Sequence, residues 1–76
     1  MSTGYASGFI NEVKASDKSK IGVQLGKVCI KRDIPVTDIA QFFNVSRVTV
    51  YSWFRGITNV SEQHWEKMQK LIDKLD

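Results

Sequence analysis

The chain reads as all-α, a small helix-turn-helix bundle of four to five helices, and three observations carry that reading. Apolar residues recur at helical spacing from Ile21 to Leu75, residues 44–46 make a three-residue break between two amphipathic segments, and Pro35 and Gly56 bracket that pair. At 76 residues there is room for one domain, and a domain this small buries only about 60% of the surface its unfolded chain exposes.

The first residues, Met1 to Ser7, are rich in Ser, Thr and Gly with Tyr5 as their apolar anchor, and are expected to fray. Phe9, Ile10 and Val13 fall at i, i+1 and i+4, which permits a short helix over 8–15, marginal unless it docks on a core. Residues 1–19 are therefore read as a flexible N-terminal arm carrying that short helix, and residues 20–76 as the helix-turn-helix domain. Ser19 is a candidate N-cap for a helix that begins near Lys20. Ile21, Leu25 and Val28, with Cys29 and Arg32 close to the same side, trace its stripe. It should stop before Ile34, because Pro35 disfavours helical geometry in the residue ahead of it. Gly22 and Gly26, four apart, weaken this helix and equally mark a face where another helix approaches closely.

Pro35 suits the first turn of a second helix running to about Phe43, with Ile39, Ala40 and Phe43 on one side and Ala40 as the packing pivot. Asn44 tolerates the left-handed backbone that ends a helix tightly, Val45 supplies an apolar plug, and Ser46 is a strong N-cap. The next helix, from Arg47 to about Arg55, divides into two stripes. Val50, Trp53 and Phe54 form an anchoring side, while Arg47, Tyr51 and Arg55, flanked by Val48 and Ser52, form an outward one. Gly56 ends it, and Ile57 to Val60 turns into a last helix capped by Ser61. Val60 and Trp65 make a hydrophobic staple there, and Trp65, Met68, Ile72 and Leu75 form a stripe that Leu71 widens.

Composition narrows the function classes. Hydrophobic residues at 42% and charged residues at 25% are globular values. Cys29 is the only cysteine and His64 the only histidine, so neither an internal disulfide nor a Cys-based zinc site is available. No apolar run approaches the roughly 20 residues of a membrane span, and Met1 to Lys20 lacks a secretory apolar segment. A cytoplasmic setting, in a bacterium or a phage-infected host cell, is the expectation. The net charge is +3, with eight Lys or Arg against four acids up to Val60 and three against four beyond it. That surplus makes a polyanion partner plausible. No clustered carboxylates, glycine-rich phosphate loop or metal-ligand spacing points to an enzyme, and no cofactor, metal or small-molecule ligand is expected.

Taken together, Ile39-Ala40, Val45, Ser46, Thr49-Val50 and the Trp53-x-Arg55-Gly56 ending resemble the Cro/CI-type helix-turn-helix regulators of phages and bacteria. The match covers Val36 to Gly56, about a quarter of the chain. It departs from the family pattern at Asn44, usually glycine, and in a C-terminal half that has one helix in place of two. The resemblance implies a lambda repressor-like DNA-binding domain and assigns roles that periodicity alone does not. Arg47, Val48 and Ser52 match positions that touch base edges, with Tyr51 beside them stacking on a base or leaning on phosphate or sugar. Ser46, Thr49, Arg55 and Asn59 match phosphate contacts. Lys14, Lys18 and Lys20 are candidate arm contacts to the DNA backbone.

Blander readings stand beside these. Arg47 and Arg55 also suit a solvated surface, and the three lysines a solvated run. Trp53, Trp65 and Phe43 are expected in the core and His64 exposed in the first turn of the last helix. Phe42 either packs under Phe9 and Ile10 or sits exposed at a protein interface. The function expected is a sequence-specific double-stranded DNA-binding transcriptional regulator. It would be a phage or mobile-element repressor acting by operator occlusion, as a homodimer at least on DNA, joined through the C-terminal helix or through Phe42 and Leu71. The alternative is a helix-turn-helix protein-interaction adaptor, antitoxin-like or part of a DNA-packaging machine, with weak, non-specific DNA binding.

Overall fold

Ile21, Leu25 and Cys29 fall four apart on one face, and the helix they mark, α2 (Ile21–Arg32), is the one against which most of the chain folds. In the computed structural model, which describes residues 5–76, four further helices surround it: α1 (Ser7–Ala15), α3 (Val36–Phe43), α4 (Arg47–Phe54) and α5 (Glu62–Leu75). No strand occurs among the described residues. The protein is all-α, a small helical bundle. Helices α1, α4 and α5 pack on α2, and α3 packs on α4. One continuous core results, from Val13 through Leu25, Val36, Ile39, Phe43, Val50, Trp53 and Phe54 to Met68 and Ile72.

The two glycines of α2 explain how close α4 comes. A Cβ on Gly22 would lie 2.6 Å from the Trp53 carbonyl oxygen, and one on Gly26 would lie 2.8 Å from Phe54 Cγ. Both side chains are absent where the C-terminal half of α4 needs the space. This is the close helix approach that the spacing of the glycines suggests.

Helices α2, α3 and α4 end by the same device. Asp33 (φ 57°), Asn44 (φ 56°) and Gly56 (φ 71°) each take positive φ just beyond the last turn. The residue after each then donates its amide to a carbonyl five residues back: Ile34 to Cys29 at 2.8 Å, Val45 to Ala40 at 2.9 Å, and Ile57 to Ser52 at 3.0 Å. These bonds satisfy carbonyls that a helix end otherwise leaves open. Ile34 and Val45 also plug into the core, whereas Ile57 stays exposed. Asn44 takes the left-handed backbone its residue type suggests. Asp33 does so as well, at a position where the sequence points only to the Pro35 stop.

Several local expectations are corrected. Ser19 does not cap α2. Its amide and hydroxyl both bond Asp17 Oδ1, at 2.9 and 2.7 Å, which holds the Asp17 carboxyl below its ordinary range, and Lys20 occupies the cap position. Pro35 sits at the N-cap of α3 and not in its first turn. Ser61 occupies the N-cap of α5 but its side chain makes no capping bond; its carbonyl accepts from the His64 amide at 3.0 Å. Trp65 is 50% exposed and not core, because the positions of α5 that face α2 are Met68 and Ile72. His64 is partly covered, its ring 5.7 Å from those of Phe43 and Trp53.

The N-terminal segment docks where it is described. Val13 is fully buried, the Tyr5 hydroxyl donates to the Ile34 carbonyl, and the Tyr5 ring stacks on Phe9 at 5.8 Å. The fraying expected at the start of the chain also covers Met1 to Gly4, which lie outside the described residues. Phe42 does not pack under Phe9 and Ile10. It is 45% exposed, edge-on to Phe43, with the Lys67 ammonium 4.4 Å from its ring centroid and donating to its carbonyl.

Candidate nucleic-acid interface

Helix α4 starts at Ser46, whose Oγ accepts from the Thr49 amide at 3.2 Å and lies 2.9 Å from Thr49 Oγ1. A side-chain oxygen on an open first-turn amide fixes where such a helix begins. From that start, Val50, Trp53 and Phe54 are carried into the core, where Trp53 meets Phe43 edge-on at 5.6 Å. The opposite side is left to solvent. Arg47 and Val48 stand exposed at its N-terminal end, Val48 at 73%, with Thr49 and Ser52 partly covered on either flank. An aliphatic side chain that exposed contributes nothing to the core, which sets Val48 apart from the apolar residues that hold the helix.

Toward its C-terminal end the same side is met by α1. Tyr51 is 36% exposed and its ring meets Phe9 edge-on at 5.1 Å. The Arg55 side chain is 33% exposed. Its Nη1 lies 3.7 Å from Glu12 Oε2 and its Cζ lies 5.8 Å from the Phe9 ring centroid. Arg55 Nε is enclosed with no hydrogen-bond partner among the described residues. Two carbonyls that close α4 are also capped from this side: Ser16 Oγ donates to the Arg55 carbonyl at 3.0 Å, and Lys20 Nζ to that of Gly56 at 2.8 Å. The stripe of Arg47, Tyr51 and Arg55 is thus graded, open at Arg47 and engaged with α1 at Arg55.

The remaining residues singled out by sequence are spread around this face. Lys14 lies exposed in the last turn of α1, and Lys18 is exposed in the connector with its carbonyl held by Gln24. Lys20 is tied to the end of α4. Asn59 is exposed and lines a shallow cleft of about 170 Å³ together with Lys20, Gly22, Trp53 and Trp65. A second cleft, of about 260 Å³, opens beside Arg47 and Tyr51 and is closed by Tyr5, Asp33, Val36 and Thr37. Phe9, Glu12 and Ser16 are the residues that sequence reasoning left out. Helical spacing places Phe9 on an apolar face, but nothing in spacing ties it to residues more than forty positions later.

No group of three or more His, Cys, Asp or Glu side chains among the described residues is arranged to hold a metal ion. No helix there is long and apolar enough to cross a membrane. No family model matches the chain, and neither does any curated protein or solved structure.

Proposed function

We propose that this chain is a sequence-specific double-stranded DNA-binding regulator of the Cro/CI-type helix-turn-helix class, a repressor that acts by occluding its operator. The observation that carries the reading is the solvent face of α4. A capped helix anchored by Val50, Trp53 and Phe54 holds Arg47, Val48 and Tyr51 outward on one surface. These side chains suit the major groove, where a guanidinium fork matches guanine O6 and N7 and an exposed valine fits against a thymine methyl. The hydroxyls of Ser46, Thr49 and Ser52 and the amide of Asn59 suit phosphate or base contacts. The +3 net charge supports the same partner. A reading surface this small works best in pairs, on half-sites about one helical turn apart. The acting form is therefore a homodimer, at least on DNA, which binds and does not catalyse.

The exposed apolar residues Phe42, Ile57 and Trp65 favour a second reading, an adaptor that binds a protein and touches DNA only weakly. Selection of bound duplexes from a random pool separates the two. The regulator yields a consensus with two related halves, and Arg47→Ala relaxes one position of it by about 1 to 3 kcal/mol. A pool with no consensus overturns the regulator. A consensus unchanged by Arg47→Ala overturns direct readout by that residue.

A further inference from the structure

We propose that Phe9, on α1 and outside the helix-turn-helix, is a positioning residue for the DNA-reading face, setting the direction of Tyr51 and the reach of Arg55. The proposal rests on the reading of α4 given above. Phe9 touches both of the residues in question. Its ring takes Tyr51 edge-on at 5.1 Å with planes 86° apart, and lies 5.8 Å from Arg55 Cζ. It is itself held in place from two other directions, stacked with Tyr5 at 5.8 Å and tilted against Phe54 at 6.4 Å.

The physical reason is entropic as well as geometric. A tyrosine on the outer side of a helix is free to sample its rotamers, and an edge-to-face partner selects among them. Phe9 supplies that partner without covering Tyr51, which keeps about a third of its surface open. On the Arg55 side the ring and Glu12 act together. The guanidinium rests over Phe9 with Nη1 toward the Glu12 carboxylate, while Nε lacks a partner among the described residues. Neither contact is strong at this exposure, so a phosphate oxygen competes with both. Phe9 therefore acts on base preference through Tyr51 and on general affinity through Arg55, and the first of these is what a purely structural residue would not alter.

The test is a double-mutant cycle on duplex binding, followed by fluorescence anisotropy at one fixed salt concentration. It compares the consensus duplex with a scrambled one for the parent chain, Phe9→Leu, Tyr51→Ala and the double variant. Phe9→Leu is expected to lower the ratio of the two affinities about two- to tenfold, the range an aromatic edge contact spans. Phe9→Tyr, which keeps the ring, retains the parent ratio. In the Tyr51→Ala background, Phe9→Leu leaves the ratio unchanged. If the parent prefers its consensus but Phe9→Leu weakens both duplexes equally, or its effect on the ratio persists without Tyr51, Phe9 is only structural and the proposal falls. A parent without any preference overturns the regulatory reading itself. The Tyr51 ring-proton resonances of the free protein decide the contact separately from DNA: they move on Phe9→Leu, and if they stay in place the positioning role is overturned.

Discussion

Cys29 is fully buried in α2, and burial pushes its thiol from 9.0 up to about 12. Because the folded state holds the proton more tightly than the unfolded state, the associated stability is complete below pH 9 and is lost as pH rises toward 12. The thermal midpoint should therefore be level near neutral pH and fall above about pH 9, with a shallower fall in Cys29→Ala. Burial also pushes the Tyr5 phenol above its ordinary 10.0, which adds to the loss at the alkaline end. At about pH 8 a thiol reagent should label the unfolded chain and leave the native one almost untouched. Single residues also mark where sequence reasoning stops. Arg47 and Arg55 look equivalent on a helical wheel, yet one is exposed and the other rests on Phe9 and Glu12. Only the docking of α1 separates them.

Helix α4 depends on its neighbours, with Val50, Trp53 and Phe54 buried in a span of only 8 residues. Helices this short are marginal alone. Ser46→Ala should cost about 1 kcal/mol of unfolding free energy without DNA present, read by denaturant titration. Gly22→Ala should cost more, about 2 kcal/mol or above, because the new Cβ meets the Trp53 backbone. Gly8→Ala is the contrasting case, with nothing within 4 Å of the added carbon, and should stabilise α1 by about 0.5 kcal/mol. A Gly22→Ala variant as stable as the parent would contradict the close approach of α2 and α4. The course of α3 and α4 is legible in sequence because Pro35, Asn44, Ser46 and Gly56 each impose a local backbone geometry. The docking of α1 is not, since Phe9, Ile10 and Val13 identify an apolar face without naming the surface it covers.

For the whole molecule, the bundle keeps several large apolar side chains outside its core, among them Phe42, Val48, Ile57 and Trp65. Two of these lie next to charged or hydroxyl-bearing neighbours: Lys67 at Phe42, and Lys20 and Ser19 along the cleft that Trp65 lines. If the regulatory reading holds, sedimentation across a concentration series should find two chains on each palindromic duplex. A single chain on an operator at saturating protein refutes the homodimer. The affinity should also fall steeply with added salt while the preference for the consensus persists, because phosphate contacts release counterions and base contacts do not.

The all-α class, the three-residue connection at Asn44 to Ser46 and the inward side of α4 follow from the amino-acid sequence by itself, because backbone preference and helical spacing act over a few residues. Tertiary structure alone decided that Trp65 lies half outside the core, that His64 joins Phe43 and Trp53, and that α1 leans on Tyr51 and Arg55. Those outcomes depend on which apolar faces find each other across the chain, and a periodic pattern states that a face is buried without stating what buries it.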